Sequence, residues 1–148
     1  MDKKEIIKKL PRQFLDTVEQ FNITDKQARN FGTDIKLHLS EIHLIQYIGN
    51  NYKVHISEIA RGLNITKGAV SQMVKKLEKK GCVEKILDSE NRSRTIISLT
   101  SKGKSAYMEH EKYHEKIDKL ILGLLKDYSE SEILAVEKFL KGMEKGLK

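Results

Sequence analysis

Residues 57–85 read SEIARGLNITKGAVSQMVKKLEKKGCVEK, and this stretch decides the fold. Its first residues put Ile59, Ala60 and Leu63 on one side of a short helix, at the spacing of three to four that a period of 3.6 requires. A second helix follows the short turn LNIT (63–66). Thr66 supplies the side-chain oxygen that caps a helix start, Val70, Met73, Val74 and Leu77 form an inward stripe, and Gly81 is a C-terminal stop. Two short helices so joined make a helix-turn-helix, whose second helix is built to enter a DNA major groove.

The face opposite that stripe carries Thr66, Lys67, Gly68, Ser71, Gln72, Lys75 and Lys76. Ser71 and Gln72 have the donors and acceptors that read base edges, Gly68 permits close approach, and the lysines neutralise phosphates. A solvated helix face has a similar composition, so the next residues decide between the two. After Gly81 the pattern becomes strand-like: CVEKIL (82–87) and RTIISL (94–99) are apolar and β-branched, and DSENRS (88–93) between them is a polar turn. This is a two-stranded wing with Arg92 and Arg94 at its tip, placed to reach an adjacent minor groove.

Outward from this region the chain reads as helix. SEIHLIQYIGN (40–50) carries Leu44, Ile45, Tyr47 and Ile48 and stops at Gly49-Asn50. Ile7, Leu10, Phe14, Val18 and Phe21 mark an N-terminal helix with one apolar stripe, and Pro11 must lie near its start or kink it. TSKG (100–103) opens a long helix to about Lys126, and SESE (129–132) is a capping box for a last helix with Ile133, Val136, Phe139 and Met143. The fold expected is mainly α with a two-stranded β wing: a winged helix-turn-helix region over 37–100, flanked by helices over 1–36 and 101–148. The stripes of those flanking helices outreach one small core and call for a partner, so 1–36 and 101–148 read as dimerisation helices.

Charge points the same way. The chain of 148 residues carries a formal net charge of +7. Between Lys53 and Lys104 lie 12 Lys/Arg and 5 Asp/Glu, while 16 of each sign share the rest of the chain. All the excess is thus in the middle third, as a phosphate-binding surface requires. With 39% hydrophobic and 33% charged residues, the chain is the size of one compact domain or of a small core plus protruding helices. No apolar run approaches the ~20 residues that span a bilayer, and MDKKEIIKKL lacks a signal core. An intracellular, cytoplasmic protein is expected. Cys82 stands alone, excluding an internal disulfide, and its apolar setting favours a small buried side chain over a redox sensor.

Across nearly its whole length the chain resembles the MarR family of winged-helix regulators, on the stretches 57–85 and DSENRSRTIISLTSKG (88–103) and the helices around them. That resemblance implies a homodimer placing two winged helices on a pseudo-palindromic site in double-stranded DNA. One departure concerns the wing: the arginine that the family places six positions before its Leu-Thr is here Ser93, between Arg92 and Arg94. Arg92 is the first candidate for the groove and Arg94 the second.

Five histidines remain. AYMEHEKYHEKI (106–117) puts His110 and His114 one turn apart, inside the apolar stripe Ala106, Tyr107, Tyr113, Ile117, Leu120, Ile121 and Leu124, so both are expected to point toward the protein. A buried imidazole needs hydrogen-bond partners or a metal. Spacing alone leaves both readings open, with His43 as an obvious further ligand. The chain is similar to the zinc-responsive uptake repressors within the MarR family, and this resemblance implies zinc held by one carboxylate and three histidines. Counted from Leu99-Thr100, His110 and His114 match two of those histidines. His43 matches the third, and Asp25 stands at the carboxylate position, where the family has glutamate. The family's second metal site is not matched, because Phe31 and Ile42 occupy two of its positions; one zinc per chain is expected. His55 reads as a cap for the third helix and His38 as a surface residue.

Three specific functions compete, beside a basic interaction module without sequence preference, which leaves the turn-plus-wing order unexplained. The first is a dimeric repressor whose DNA affinity rises with zinc. The second is a MarR-type repressor released by a small aromatic ligand, its histidines structural. The third, a zinc hydrolase, is disfavoured because four protein ligands close a site and no nucleophile elbow or phosphate loop appears.

Overall fold

The computed structural model describes the backbone of residues 2–27 and 30–148 and the side chains of 2–24 and 30–148. These form two compact units, Met1–Glu111 and Lys112–Lys148. In the first, α1 (Lys3–Gln27) is one continuous helix. Pro11 lies inside it and not at its start, where the missing N–H would have cost nothing. The apolar residues Ile7, Leu10, Val18 and Phe21 of α1 remain exposed in the single chain.

The core is built by α2 (Leu39–Asn50), α3 (Ile56–Leu63), α4 (Lys67–Lys79) and a small sheet. Leu44 and Ile45 of α2, Ile59 of α3, and Val70, Val74 and Leu77 of α4 have no measurable exposure. These are stripe positions of the helical periodicity, Met73 packing partly buried beside them. Between α3 and α4 the chain turns through Asn64, at φ 53°, the left-handed conformation asparagine tolerates better than most residues. Thr66 then caps α4, its hydroxyl oxygen accepting the Ala69 N–H at 3.1 Å. α2 ends at Asn50, within the expected Gly49-Asn50 stop.

Gly81, at φ 72°, ends α4 and directs the chain into β2 (Val83–Leu87). β2 pairs antiparallel with β3 (Thr95–Leu99), matching Val83 to Leu99 and Leu87 to Thr95. A third strand, β1 (Val54–His55), pairs with the other edge of β3 through Val54–Ile97 and His55–Ile96. The wing is therefore a hairpin tied by a short strand to the helical layer. Two residues carry no period, which is why β1 does not declare itself in the sequence. β3, paired on both sides, contributes the buried Ile96, Ile97 and Leu99.

α5 (Ser101–Leu125) follows. Thr100 donates its hydroxyl to the Gly81 carbonyl at 2.5 Å, and a Cβ on Gly103 would lie 2.0 Å from the Cys82 carbonyl oxygen. Only glycine lets the helix start this close to the strand. In the second unit α6 (Glu130–Gly146) begins with a reciprocal cap: Glu132 accepts the Ser129 N–H at 2.8 Å and donates its own N–H to the Ser129 hydroxyl oxygen at 3.4 Å. α6 contains no buried residue. Among the described residues, no helix is long and apolar enough to cross a membrane.

Candidate nucleic-acid interface and histidine cluster

α4 presents Lys67, Gly68, Gln72, Lys75 and Lys76 to solvent, with Ser71 half-buried at the margin and Thr66 exposed at the cap. Space around Gly68 is open, the nearest atom to a Cβ there being the Thr66 hydroxyl oxygen at 3.9 Å. The aligned peptides leave partial positive charge at the start of α4, beside Lys67. No acidic residue occupies that first turn.

The wing tip is ordered by its own hydrogen bonds. Asp88 donates its N–H to the Arg94 carbonyl at 3.0 Å, and Arg94 donates to the Asn91 carbonyl at 2.8 Å. The Asn91 side-chain oxygen accepts the Ser93 N–H at 3.1 Å and hydroxyl at 2.5 Å. Arg92 and Arg94 are both exposed. Ser93, in the slot where the family carries arginine, is turned to Asn91 and stiffens the tip.

One basic residue not singled out in the sequence for this surface belongs to it. Arg61 of α3 lines a hollow of about 410 Å³ together with His55, Ser57, Glu58, Lys67 and Arg94. The inward placing of Ile59, Ala60 and Leu63 was the available signal that Arg61 faces out. That Lys67 and Arg94, 27 positions apart in the chain, line one hollow is tertiary information.

Of the histidines, His110 is buried, 3% exposed, and His43 of α2 is exposed. Their ring centroids lie 6.0 Å apart at 65°. Phe31, at φ 39°, meets the His110 ring edge-on with centroids 5.3 Å apart. Two imidazoles on one tetrahedral zinc, with Zn–N near 2.0–2.1 Å, bring their centroids to about 5 Å. The His43–His110 pair is within about 1 Å of that spacing.

His114 corrects an expectation: it is exposed, its ring against Tyr113 at 6.0 Å, and Leu120, Ile121 and Leu124 of the same stripe are exposed too. It falls in the second unit, past the residues that build the core. Periodicity identified the face but not what covers it. The Asp25 side chain lies outside the described residues. Among the described residues no three His, Cys, Asp or Glu side chains converge as a ready metal site. Cys82 is fully buried, and burial pushes its thiol up, away from the reactive thiolate.

Comparison with known proteins agrees with this geometry. The family described as winged helix DNA-binding domain matches residues 41–118. The chain belongs to that family, and its fold is that of the MarR-type regulators. YhjH of Bacillus subtilis, an uncharacterized HTH-type transcriptional regulator, is 30% identical over 112 residues, 76% of this chain. The chain spans 64% of that relative's length. Among solved structures, Streptococcus pneumoniae FabT in complex with DNA superposes with a TM-score of 0.68 at 24% identity, covering 99% of this chain and 97% of FabT. Lactococcus lactis ZitR, a zinc-responsive MarR family member, gives 0.70 at 20% identity, covering 96% and 99%. At such identities the likeness is one of fold.

Proposed function

We propose that this chain is a sequence-specific DNA-binding transcriptional regulator of MarR type, a homodimer that represses from a pseudo-palindromic operator. The observation that carries this reading is the division of α4: Val70, Val74 and Leu77 are sealed in the core, while Lys67, Gln72, Lys75 and Lys76 are exposed, Lys67 in one hollow with Arg61 and Arg94. FabT, of the same fold, binds DNA. α4 would enter the major groove with Gln72 and Ser71 at base edges. Thr66, Lys67, Lys75 and Lys76 would hold phosphates, and Arg92, with Arg94 second, would enter the minor groove.

The effector proposed is zinc, one ion per chain, held by Asp25, His43, His110 and His114. The His43–His110 spacing supports it, and ZitR is zinc-responsive. An ion held by residues of α2 and α5 would favour one winged-helix geometry over another. Operator affinity measured with zinc and with chelator, across a salt series, tests the whole reading. Equal affinities remove zinc, and indifference to salt removes the DNA interface. A groove of about 840 Å³ favours the second reading, release by a small aromatic ligand: Ile48, Ile97, Tyr107 and Met108 form its apolar lining, and Lys53 and Lys104 its charged groups.

A further inference from the structure

Three cations from three elements line one hollow of about 410 Å³. Arg61 stands in the last turn of α3, Lys67 opens α4, and Arg94 leads from the wing turn into β3; all three are exposed. Among the described residues none of them has an ion-pair partner. Glu58, the acid on the same hollow, is already engaged, its carboxylate accepting the His55 N–H at 2.8 Å. Half-buried Ser57 lines the hollow beside it. A single exposed arginine is ordinary surface. Three cations that packing gathers without a free carboxylate among them repel one another, and an anion relieves that repulsion.

The place of the hollow in the fold says which anion. On the DNA-binding reading α4 lies in the major groove and the wing tip in the adjacent minor groove. One sugar-phosphate strand divides those two grooves, so whatever joins α4 to the wing must straddle that strand. The hollow joins them, with Lys67 from α4, Arg94 from the wing, and Arg61 and Ser57 from α3 closing it. The chemistry suits a phosphate: a guanidinium fork matches two of its oxygens, an ammonium adds a point charge, and a hydroxyl donates a hydrogen bond.

We propose that this hollow is a site for one phosphate group, held by Arg61, Lys67 and Arg94 with Ser57 donating, and that the group is the backbone phosphate on the strand between the two grooves. The proposal rests on the DNA-binding reading for the source of the phosphate. It ties α4 and the wing to a single point of the backbone. Arg61, which meets no base, is thereby a positioning residue that sets the register in which Gln72 meets its base pair. Arg94 is committed to the strand, and the minor groove is left to Arg92. Contact with that phosphate releases condensed counterions, so the site adds affinity on every sequence.

The test uses the full chain and a duplex that the wild type selects from a random-sequence library. Each backbone phosphate of that duplex is replaced in turn by an uncharged methylphosphonate. Wild type should lose affinity about tenfold at one position for each bound winged helix, on the strand between the bases contacted by α4 and by the wing. Arg61→Gln and Arg94→Gln, weakened to a similar degree on the unmodified duplex, should lose little more at that same position, and their double variant should lose less than the sum of the two. Each should lower the salt slope by about one, and Arg61→Lys, which keeps the charge, should restore it. Undiminished sensitivity of Arg61→Gln at every phosphate overturns the site, as do different phosphates for Arg61 and Arg94. If a variant fails to fold, the wild-type profile decides alone, and a profile with no sensitive phosphate on that strand overturns the site. A wild type that binds no duplex removes the DNA reading. Inorganic phosphate, titrated at constant ionic strength and followed at the amide signals of Ser57, Lys67 and Thr95, then decides the hollow: saturable shifts that Arg61→Gln abolishes keep it as a phosphate site of another source, and their absence overturns it.

Discussion

Lys80 closes the buried carboxylate of Glu41. Its Nζ donates to both glutamate oxygens, at 2.9 and 2.7 Å, and to the Lys36 carbonyl at 2.9 Å, while Glu41 is 3% exposed and also accepts the His38 N–H at 2.7 Å. The pair ties the end of α4 to the start of α2. Burial pushes the Glu41 carboxyl up, but the His38 N–H and the Lys80 ammonium together outweigh it and hold the carboxyl below its ordinary value. Removing one partner strands a buried charge, so Lys80→Met should destabilise the chain by about 3 kcal/mol in denaturant unfolding near neutral pH. The folded carboxyl sits low. The pair's contribution is therefore complete above the ordinary glutamate range near pH ~4.3 and lost as pH falls through the depressed value. Unfolding with chelator present should show wild type losing its advantage over Lys80→Met in that acid window.

Gly81→Ala and Gly103→Ala separate conformation from space. A Cβ on Gly81 meets nothing within 4 Å, so its cost is that of φ 72° for an L-residue, about 1–2 kcal/mol. A Cβ on Gly103 strikes the Cys82 carbonyl oxygen at 2.0 Å, and the start of α5 must move. Thermal unfolding of both variants should place Gly103→Ala well below Gly81→Ala; the reverse order would show that α5 does not dock as described.

On the DNA-binding reading, Arg92→Ala should weaken binding to all sequences and lower the salt slope by about one. Gln72→Ala should instead relax preference at one base pair, by about 1–3 kcal/mol. Selection from a random duplex library followed by salt titration distinguishes the two. Identical losses on every sequence for Gln72→Ala would move that residue from base reading to phosphate contact.

Zinc should raise operator affinity roughly 5- to 150-fold, a coupling of ~1–3 kcal/mol, and DNA should tighten zinc by the same factor. His110→Ala and His114→Ala should each abolish the difference between zinc and chelator, leaving dimerisation intact. His55→Ala should preserve the ratio, since its contacts are with Thr95 and Asp88. Isothermal titration of zinc with and without DNA measures both sides of the cycle.

The helix-turn-helix was legible because every local signal agreed: the Thr66 cap, the Val70/Val74/Leu77 stripe and the Gly81 stop all recur in the fold. The wing hairpin was legible for the same reason. What escaped needed long-range contacts. β1 exists only because Val54 and His55 meet β3, and Arg61 joins Lys67 and Arg94 only once α3, α4 and the wing have packed. His55 was read as a helix cap, which it is, but its ring also lies against Thr95 and Asp88. His110 is buried as its stripe foretold, whereas His114, one turn on, is not.

α6 has no buried residue, although Ile133, Leu134, Phe139 and Leu140 are large and apolar. On the homodimer reading, a second copy would supply the burial that holds such a helix. On that reading its lifetime is tied to copy number: a scarce chain would offer its C-terminal segment to proteases, and an abundant one would shield it. Limited proteolysis should cut near Tyr128–Ser129 in dilute protein and spare that bend as concentration rises. A regulator built this way would clear its own unpaired subunits, so that the amount of competent repressor falls faster than the amount of chain.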